Sequence, residues 1–372
     1  MGILRFLLAI AVLLDHLPAA RDIALKPRFG PGATLAVEIF FMISGFYMAL
    51  ILGEKYVGKN GVRAFYRNRF LRIYPVYIFV VCMSFLIAVY YRIQHGHWIF
   101  LSLAVPMFLH ANWLTRIHVI VSNLFLVGQN TFFFLDNCPD GSLGLHCGGA
   151  NALPPWVMFL IPQAWSIEIE VFFYLICPFI IHLKTKTLSI IACVLITLKI
   201  YTVFFIYHLQ SGYFNLRFPG FEFALFLLGI LAYRIYKNYL KEKKIPSFGY
   251  GIILVFVLAA SLCHFLFKDM GSFISIYITA FLALPILFRL SKNSKIDRFI
   301  GELSYPIYLI HAVVMVLVFY WVGKEDAPLA IAAVIVAALL LNYFILRPID
   351  AFRAIKSAAN KPAPVPVTTR YP

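Results

Sequence analysis

Apolar runs of membrane-crossing length recur along the chain, separated by short polar stretches. They occupy residues 3–19, 34–52, 73–91, 98–114, 118–135, 165–183, 187–207, 219–236, 248–267, 273–290, 303–322 and 328–346. A helix needs roughly 20 mostly apolar residues to cross a hydrocarbon core, and only helices or closed barrels satisfy their backbone there. The pattern predicts an all-α protein, a polytopic transmembrane helix bundle of about 10–12 spans. The fourth and fifth runs are the weakest, because Arg116 and His118 divide a single apolar region. Residues 1–350 read as one membrane domain. Residues 351–372 read as a disordered cytoplasmic tail, rich in Pro, Ala and Thr from Ser357 onward.

Composition agrees with the pattern. The chain is 62% hydrophobic and 13% charged, against about 25% charged residues in soluble domains. The net charge of +16 does not point to nucleic acid, since no basic, aromatic-rich soluble module is present to bind it. It fits the concentration of Lys and Arg in cytoplasmic loops. Segment 53–72 holds Lys55, Lys59, Arg63, Arg67, Arg69 and Arg72 against Glu54. Segment 234–244 holds Arg234, Lys237, Lys241, Lys243 and Lys244 against Glu242, and 289–298 holds Arg289, Lys292, Lys295 and Arg298 against Asp297. With both termini cytoplasmic, all three segments fall inside, as do Lys184 and Lys186. Residues 136–164, with Asp136 and Asp140 and no Lys or Arg, fall outside. A single crossing by 98–135 would invert every later basic loop, so two are expected. Cys138 and Cys147 then face an oxidising compartment, where a disulfide can form. Cys82, Cys177, Cys193 and Cys263 lie in apolar runs and read as packing residues. Residues 1–20 resemble a signal peptide, but Asp15 and His16 interrupt the apolar run and further spans follow at once, which favours a retained span.

Ionisable residues within the spans carry the candidate chemistry, because each is costly in a bilayer. Arg5 and His16 are eleven residues apart. At about 100° per residue they return to within about 20° of one face, separated by about 16 Å along the axis. His16 can alternatively be an outer interfacial residue at a helix end. Glu38, in the run Glu38-Ile39-Phe40-Phe41-Met42-Ile43-Ser44-Gly45-Phe46, requires a partner if buried, with His16 or an arginine as candidates. Arg69 and Arg72, three apart, share a helix face, and their planar forks suit phosphate; arginines at this end of a span also serve as topology signals. Glu168 and Glu170 point roughly 200° apart on a helix, so only one readily faces the interior. Trp165 and Tyr174 flank them as interfacial or site aromatics. His311 lies within the span that begins Leu303-Ser304-Tyr305-Pro306, as a packing or a site histidine. No histidine–carboxylate spacing argues for a metal, and none is expected.

Taken together, these segments resemble the acyltransferase-3 family of membrane acyltransferases over roughly residues 3–348. The family's hallmark Arg and His on the first helix match Arg5 and His16. Its FFxxSGF pattern, preceded by an acid, matches Glu38 through Phe46. RxxRIxPxY matches Arg69, Arg72, Ile73, Pro75 and Tyr77. WSL..E..FYL matches Trp165, Ser166, Glu170, Phe173, Tyr174 and Leu175, and SYxIYLxH matches Ser304, Tyr305, Ile307, Tyr308, Leu309 and His311. Two departures stand out. Leu346 replaces a glutamate that many members carry before the last core proline, and the extra extracytoplasmic hydrolase-like domain of many members is lacking.

The resemblance implies acyl-CoA, most often acetyl-CoA, as donor and a glycan or glycolipid hydroxyl as acceptor. It implies a multi-pass protein among the lipids of a bacterial plasma (inner) membrane, and leaves a homo-oligomer open. By the same resemblance His16 would be general base or acyl carrier, with Arg5, Glu38 and Glu170 as catalytic partners. Arg69, Arg72, Arg5 and Tyr77 would hold the donor, and Trp165, Ser166, Arg217 and His311 would contact the acceptor. Two rivals belong to other classes. A transporter or export accessory for an anionic solute would use the same buried charges as a relay, but transporters often show two similar halves and no clear internal repeat is visible. A non-catalytic scaffold for glycan synthesis would tolerate substitution of Arg5 and His16.

Overall fold

A computed structural model describes residues 1–17, 32–56, 58, 60–145, 147–148, 153–202, 205, 218–242, 270–323 and 326–359. The apolar runs in these stretches are helices: α1 (Gly2–His16), α2 (Gly32–Glu54), α3 (Gly61–His95), α4 (Ala104–His110), α5 (Trp113–Phe125), α6 (Trp165–Ile180), α7 (Thr185–Tyr201), α8 (Pro219–Ile235), α9 (Met270–Ser291), α10 (Lys295–Glu302), α11 (Ser304–Val322), α12 (Ala327–Leu341) and α13 (Arg347–Ala359). Among the described residues, seven helical stretches are long and apolar enough to cross a membrane. They are Gly32–Glu54, Gly61–His95, Pro162–Ile180, Pro219–Leu240, Ile274–Ser291, Lys295–Val322 and Ala327–Arg353. The expected span 248–267 and Arg217 lie outside the described residues.

Two expectations are corrected. Runs 98–114 and 118–135 are not spans: α4 has 7 residues and α5 has 13, short of the roughly 20 a crossing needs. Asn112 breaks the region by accepting a hydrogen bond from the Thr115 N–H at 2.9 Å, which starts α5 afresh. Arg116 donates to the Phe108 and Leu109 carbonyls at 3.1 and 2.5 Å, closing the end of α4. Two helices that do not cross leave the parity of the chain as two crossings would. The second correction concerns the tail. Residues 351–359 continue α13 and are not disordered; residues beyond Ala359 lie outside the description.

Cys138 and Cys147 form a disulfide. It closes a loop in which the two-residue strands Asp136–Asn137 and Leu143–Gly144 pair antiparallel.

α2 is the central helix, and it packs most extensively on α8. The crossing depends on two glycines: a Cβ on Gly45 would lie 2.1 Å from the Phe226 carbonyl oxygen, and one on Gly229 would lie 2.0 Å from that of Met42. The glycine of Ser44-Gly45-Phe46 is thus a packing residue, since small residues let membrane helices approach backbone to backbone. The start of α1 is fixed in the same way: a Cβ on Gly301 would lie 2.5 Å from the Gly2 Cα. Asp297, on α10, accepts from the Gly2 and Ile3 N–H groups at 2.7 and 2.9 Å. It caps α1 from a neighbouring helix, satisfying donors that a helix start leaves free.

Candidate active site

Five helices, α1, α2, α3, α6 and α11, enclose a cavity of about 170 Å³. Each of the five sequence motifs contributes to its wall: Arg5; Ser44; Arg69 and Arg72; Ser166, Glu170 and Tyr174; Tyr305 and Tyr308. Glu170 accepts a hydrogen bond from the Ser44 hydroxyl at 2.7 Å and another from the Tyr174 hydroxyl, which joins α2 to α6 on one carboxylate. The other acid of that helix, Glu168, turns away. It accepts from the Gly128 N–H at 2.5 Å and from the Asn130 N–H and side-chain amide, both at 2.7 Å. The 200° separation on the helix is used to bind a loop with one acid and line the cavity with the next.

The cavity is cationic. Arg5, Arg69 and Arg72 line it and Glu170 is the one carboxylate among its lining residues, a surplus of two positive charges. The Arg69 guanidinium lies 5.7 Å from the centre of the Tyr174 ring and 6.0 Å from that of Phe65, a cation–π arrangement that holds it without neutralising it. Neither Arg5 nor Arg72 forms an ion pair with any described residue. A second cavity, about 390 Å³, shares Arg5, Tyr47, Arg72 and Tyr305 with the first and adds Lys292 and Arg298. The second cavity is also lined by Asp297, Glu302 and Asp350, so its cations are largely balanced and the positive surplus is greatest around Arg5, Arg69 and Arg72. Sequence reasoning missed Lys292 and Arg298 as site residues, because in segment 289–298 they served only as a topology signal. It also missed Tyr47, which no motif marks.

The far end of the inner cavity is closed by hydroxyls. Ser166 Oγ lies 2.6 Å from Tyr308 Oη, and the Tyr308 hydroxyl donates to the Gln163 carbonyl at 2.8 Å. One turn further along α11, buried His311 packs its ring 5.1 Å from that of His16. His16 is exposed at the end of α1 and does not line the cavity. Arg5 and His16 therefore occupy opposite ends of one unbroken helix, about 16 Å apart in rise.

Three other predicted positions lie elsewhere. Glu38 is buried, but among the described residues neither His16 nor an arginine partners it. Lys199 of α7 donates to it at 2.5 Å and the Tyr277 hydroxyl at 2.6 Å, while Lys199 also donates to Glu222 at 2.7 Å. This closed ion cluster pins α2, α7, α8 and α9 together and lies off the cavity. Tyr77 is not at the arginines. Eight residues beyond Arg69, it is turned about 80° from it and raised by about 12 Å. There its hydroxyl donates to the Asn123 carbonyl at 2.6 Å and accepts from Gln129 at 3.1 Å. Trp165 packs its ring 6.5 Å from Phe133 and accepts from Asn130 on its backbone carbonyl at 2.9 Å. Tyr77→Phe should then lower stability by about 1–3 kcal/mol, the cost of leaving buried partners unmade; a purified variant that unfolds with the wild type would show that these bonds do not hold the fold. Among the described residues, no group of three His, Cys, Asp or Glu side chains is placed to hold a metal.

The fold and site define a multi-pass membrane protein whose helices surround a cationic cavity. The chain belongs to the acyltransferase-3 family: residues 1–347 match its model, described as an acyltransferase domain. ORF330 of Acidianus two-tailed virus, whose name calls it an acetyltransferase, is 25% identical over 315 residues, covering 83% of this chain and 80% of that protein. The O-acetyltransferase OatA of Staphylococcus aureus is 23% identical over 364 residues, covering 91% of this chain. The chain spans about half the length of OatA, 54% of it. No solved structure matches.

Proposed function

We propose that the chain moves an acyl group, acetyl as in the names of its relatives, from acyl-CoA to a hydroxyl of a glycan or glycolipid, in a bacterial inner membrane. The observation that carries this reading is the surplus positive charge: three arginines face one carboxylate across the inner cavity. Uncompensated buried charge is expensive, so an anion is the natural complement. CoA offers phosphates for guanidinium forks and a slender arm ending in a thioester. Arg72, with Lys292 and Arg298 beside it in the second cavity, would meet the phosphates. The arm would follow Arg5 into the inner cavity toward Tyr308, with Glu170 holding Ser44 and Tyr174 in place. His16, at the opposite end of α1, would take the proton of the acceptor hydroxyl as general base. The donor would thus enter from the side of the basic loops and the acceptor from the other.

The test is CoA binding to the purified full-length protein. Arg72→Ala should weaken binding about tenfold or more, the worth of a charge-assisted hydrogen bond. Lys292→Ala and Arg298→Ala should weaken it less and lose their effect at high salt, as charges nearer solvent do. Undiminished affinity in Arg72→Ala would refute the donor assignment.

A further inference from the structure

Two histidines from different helices meet beyond the closed end of the cavity. The rings of His16 and His311 are 5.1 Å apart and inclined by 55°. Each holds Nδ1 2.8 Å from a backbone carbonyl oxygen, His16 on Val12 and His311 on Tyr308. A carbonyl oxygen can only accept, so Nδ1 is the N–H in both rings, and Nε2 of a neutral ring keeps its lone pair. In His311 that Nε2 is buried and has no hydrogen-bond partner among the described residues. An unmade buried acceptor is destabilising, and a native structure that tolerates one calls for a reason. In the described structure, neutral His16 has no N–H to offer it, because its only one is committed to Val12. Protonated His16 has a second.

We propose that His311 is a positioning residue for His16, its Nε2 accepting a hydrogen bond from His16 Nε2–H while His16 holds the proton taken from the acceptor. The inference rests on the acyl-transfer reading above. In that step the acceptor O–H bond breaks and its proton passes to His16 Nε2. The hydroxyl oxygen bonds to the acyl carbon, and the C–S bond breaks. The CoA sulfur leaves with the electron pair and recovers the proton from His16, so the products are an ester and a free thiol with no net proton released. Between those events His16 is an imidazolium with both N–H groups partnered, by Val12 and by His311. His311 itself stays neutral, since two imidazolium rings at 5.1 Å would repel each other.

The two nitrogens of His311 can be separated by substitution. His311→Asn keeps a donor at the level of Nδ1 for the Tyr308 carbonyl but has nothing at Nε2. His311→Gln places a carbonyl oxygen, an acceptor, at the level of Nε2. In membranes containing the full-length protein, transfer from acetyl-CoA to the surface glycan should fall about 100-fold in His311→Asn, the scale of a lost acid–base contribution, with CoA affinity intact. His311→Gln should recover about tenfold of that loss. The double variant His16→Ala, His311→Asn should be no slower than His16→Ala alone, since residues that act as one unit are not additive. A packing role would leave His311→Asn active, and activity within twofold of wild type overturns the proposal. Equal losses in Asn and Gln, additive losses in the double variant, or loss of CoA binding also overturn it. Failure of the wild-type protein to transfer from acetyl-CoA would instead refute the acyl-transfer reading itself.

Discussion

Replacing Arg5 with alanine is expected to lower acyl transfer by about 100- to 1,000-fold, the range seen when one preorganised charge is removed from a reacting centre. Arg5 is the residue shared by both cavities on the first helix, so a donor reaching from the second cavity into the first would have to pass it. Among the described residues it forms no ion pair, so its field is available to a ligand. The protein should still fold, because the place of α1 is set by other means: the Asp297 cap on the Gly2 and Ile3 N–H groups and the close contact of Gly2 with Gly301. Arg5→Lys, which keeps the charge but not the planar fork, should fall between the two. The measurement is initial transfer rate in isolated membranes at matched protein amounts, with thermal unfolding as a control. A rate within twofold of wild type in Arg5→Ala would remove Arg5 from the path, and a matching loss of stability would mean that it serves the fold.

How much of this was legible in the sequence differs from one feature to the next. The helical class follows from hydropathy, because a bilayer admits few alternatives. The cavity was legible as a set of parts: every motif that suggested a site contributes a wall residue. What the motifs could not give was their mutual arrangement. Helical periodicity says that Glu168 and Glu170 point apart, but not which one meets Ser44 and which one meets the loop at Asn130. Glu38 was legible as a buried acid needing a partner, whereas Lys199, 161 residues away in sequence, is joined to it only by the packing of α2 and α7. The short helices α4 and α5 misled because a hydropathy window does not register an Asn112 cap in the middle of an apolar region. Lys292 and Arg298 were hidden for the opposite reason: one cationic side chain can serve both as a topology signal and as a cavity wall, and charge counting reveals only the first.

Lys199→Met tests the part of the molecule where that reading was weakest. Lys199 is the only cation bonded to Glu38 and Glu222 among the described residues, and all three side chains are buried. Removing one member of a buried ion cluster leaves uncompensated charge and costs about 3–5 kcal/mol, so the variant should unfold at much lower temperature in detergent and accumulate poorly in membranes. If charge imbalance is the cause, neutralising the acids should repair it, because replacing a whole buried ion cluster with uncharged groups is often tolerated. Lys199→Met combined with Glu38→Gln and Glu222→Gln should regain most of the lost stability. The same triple variant decides what Glu38 does. It lies off the cavity, bonded to Lys199 and Tyr277, so it acts as a fastener of α2 rather than on substrate, and the refolded triple variant should keep acyl transfer within a few-fold of wild type. A stable triple variant without transfer activity would restore Glu38 to the catalytic set. A single Lys199→Met variant that melts with the wild type would show that the cluster contributes little to the fold.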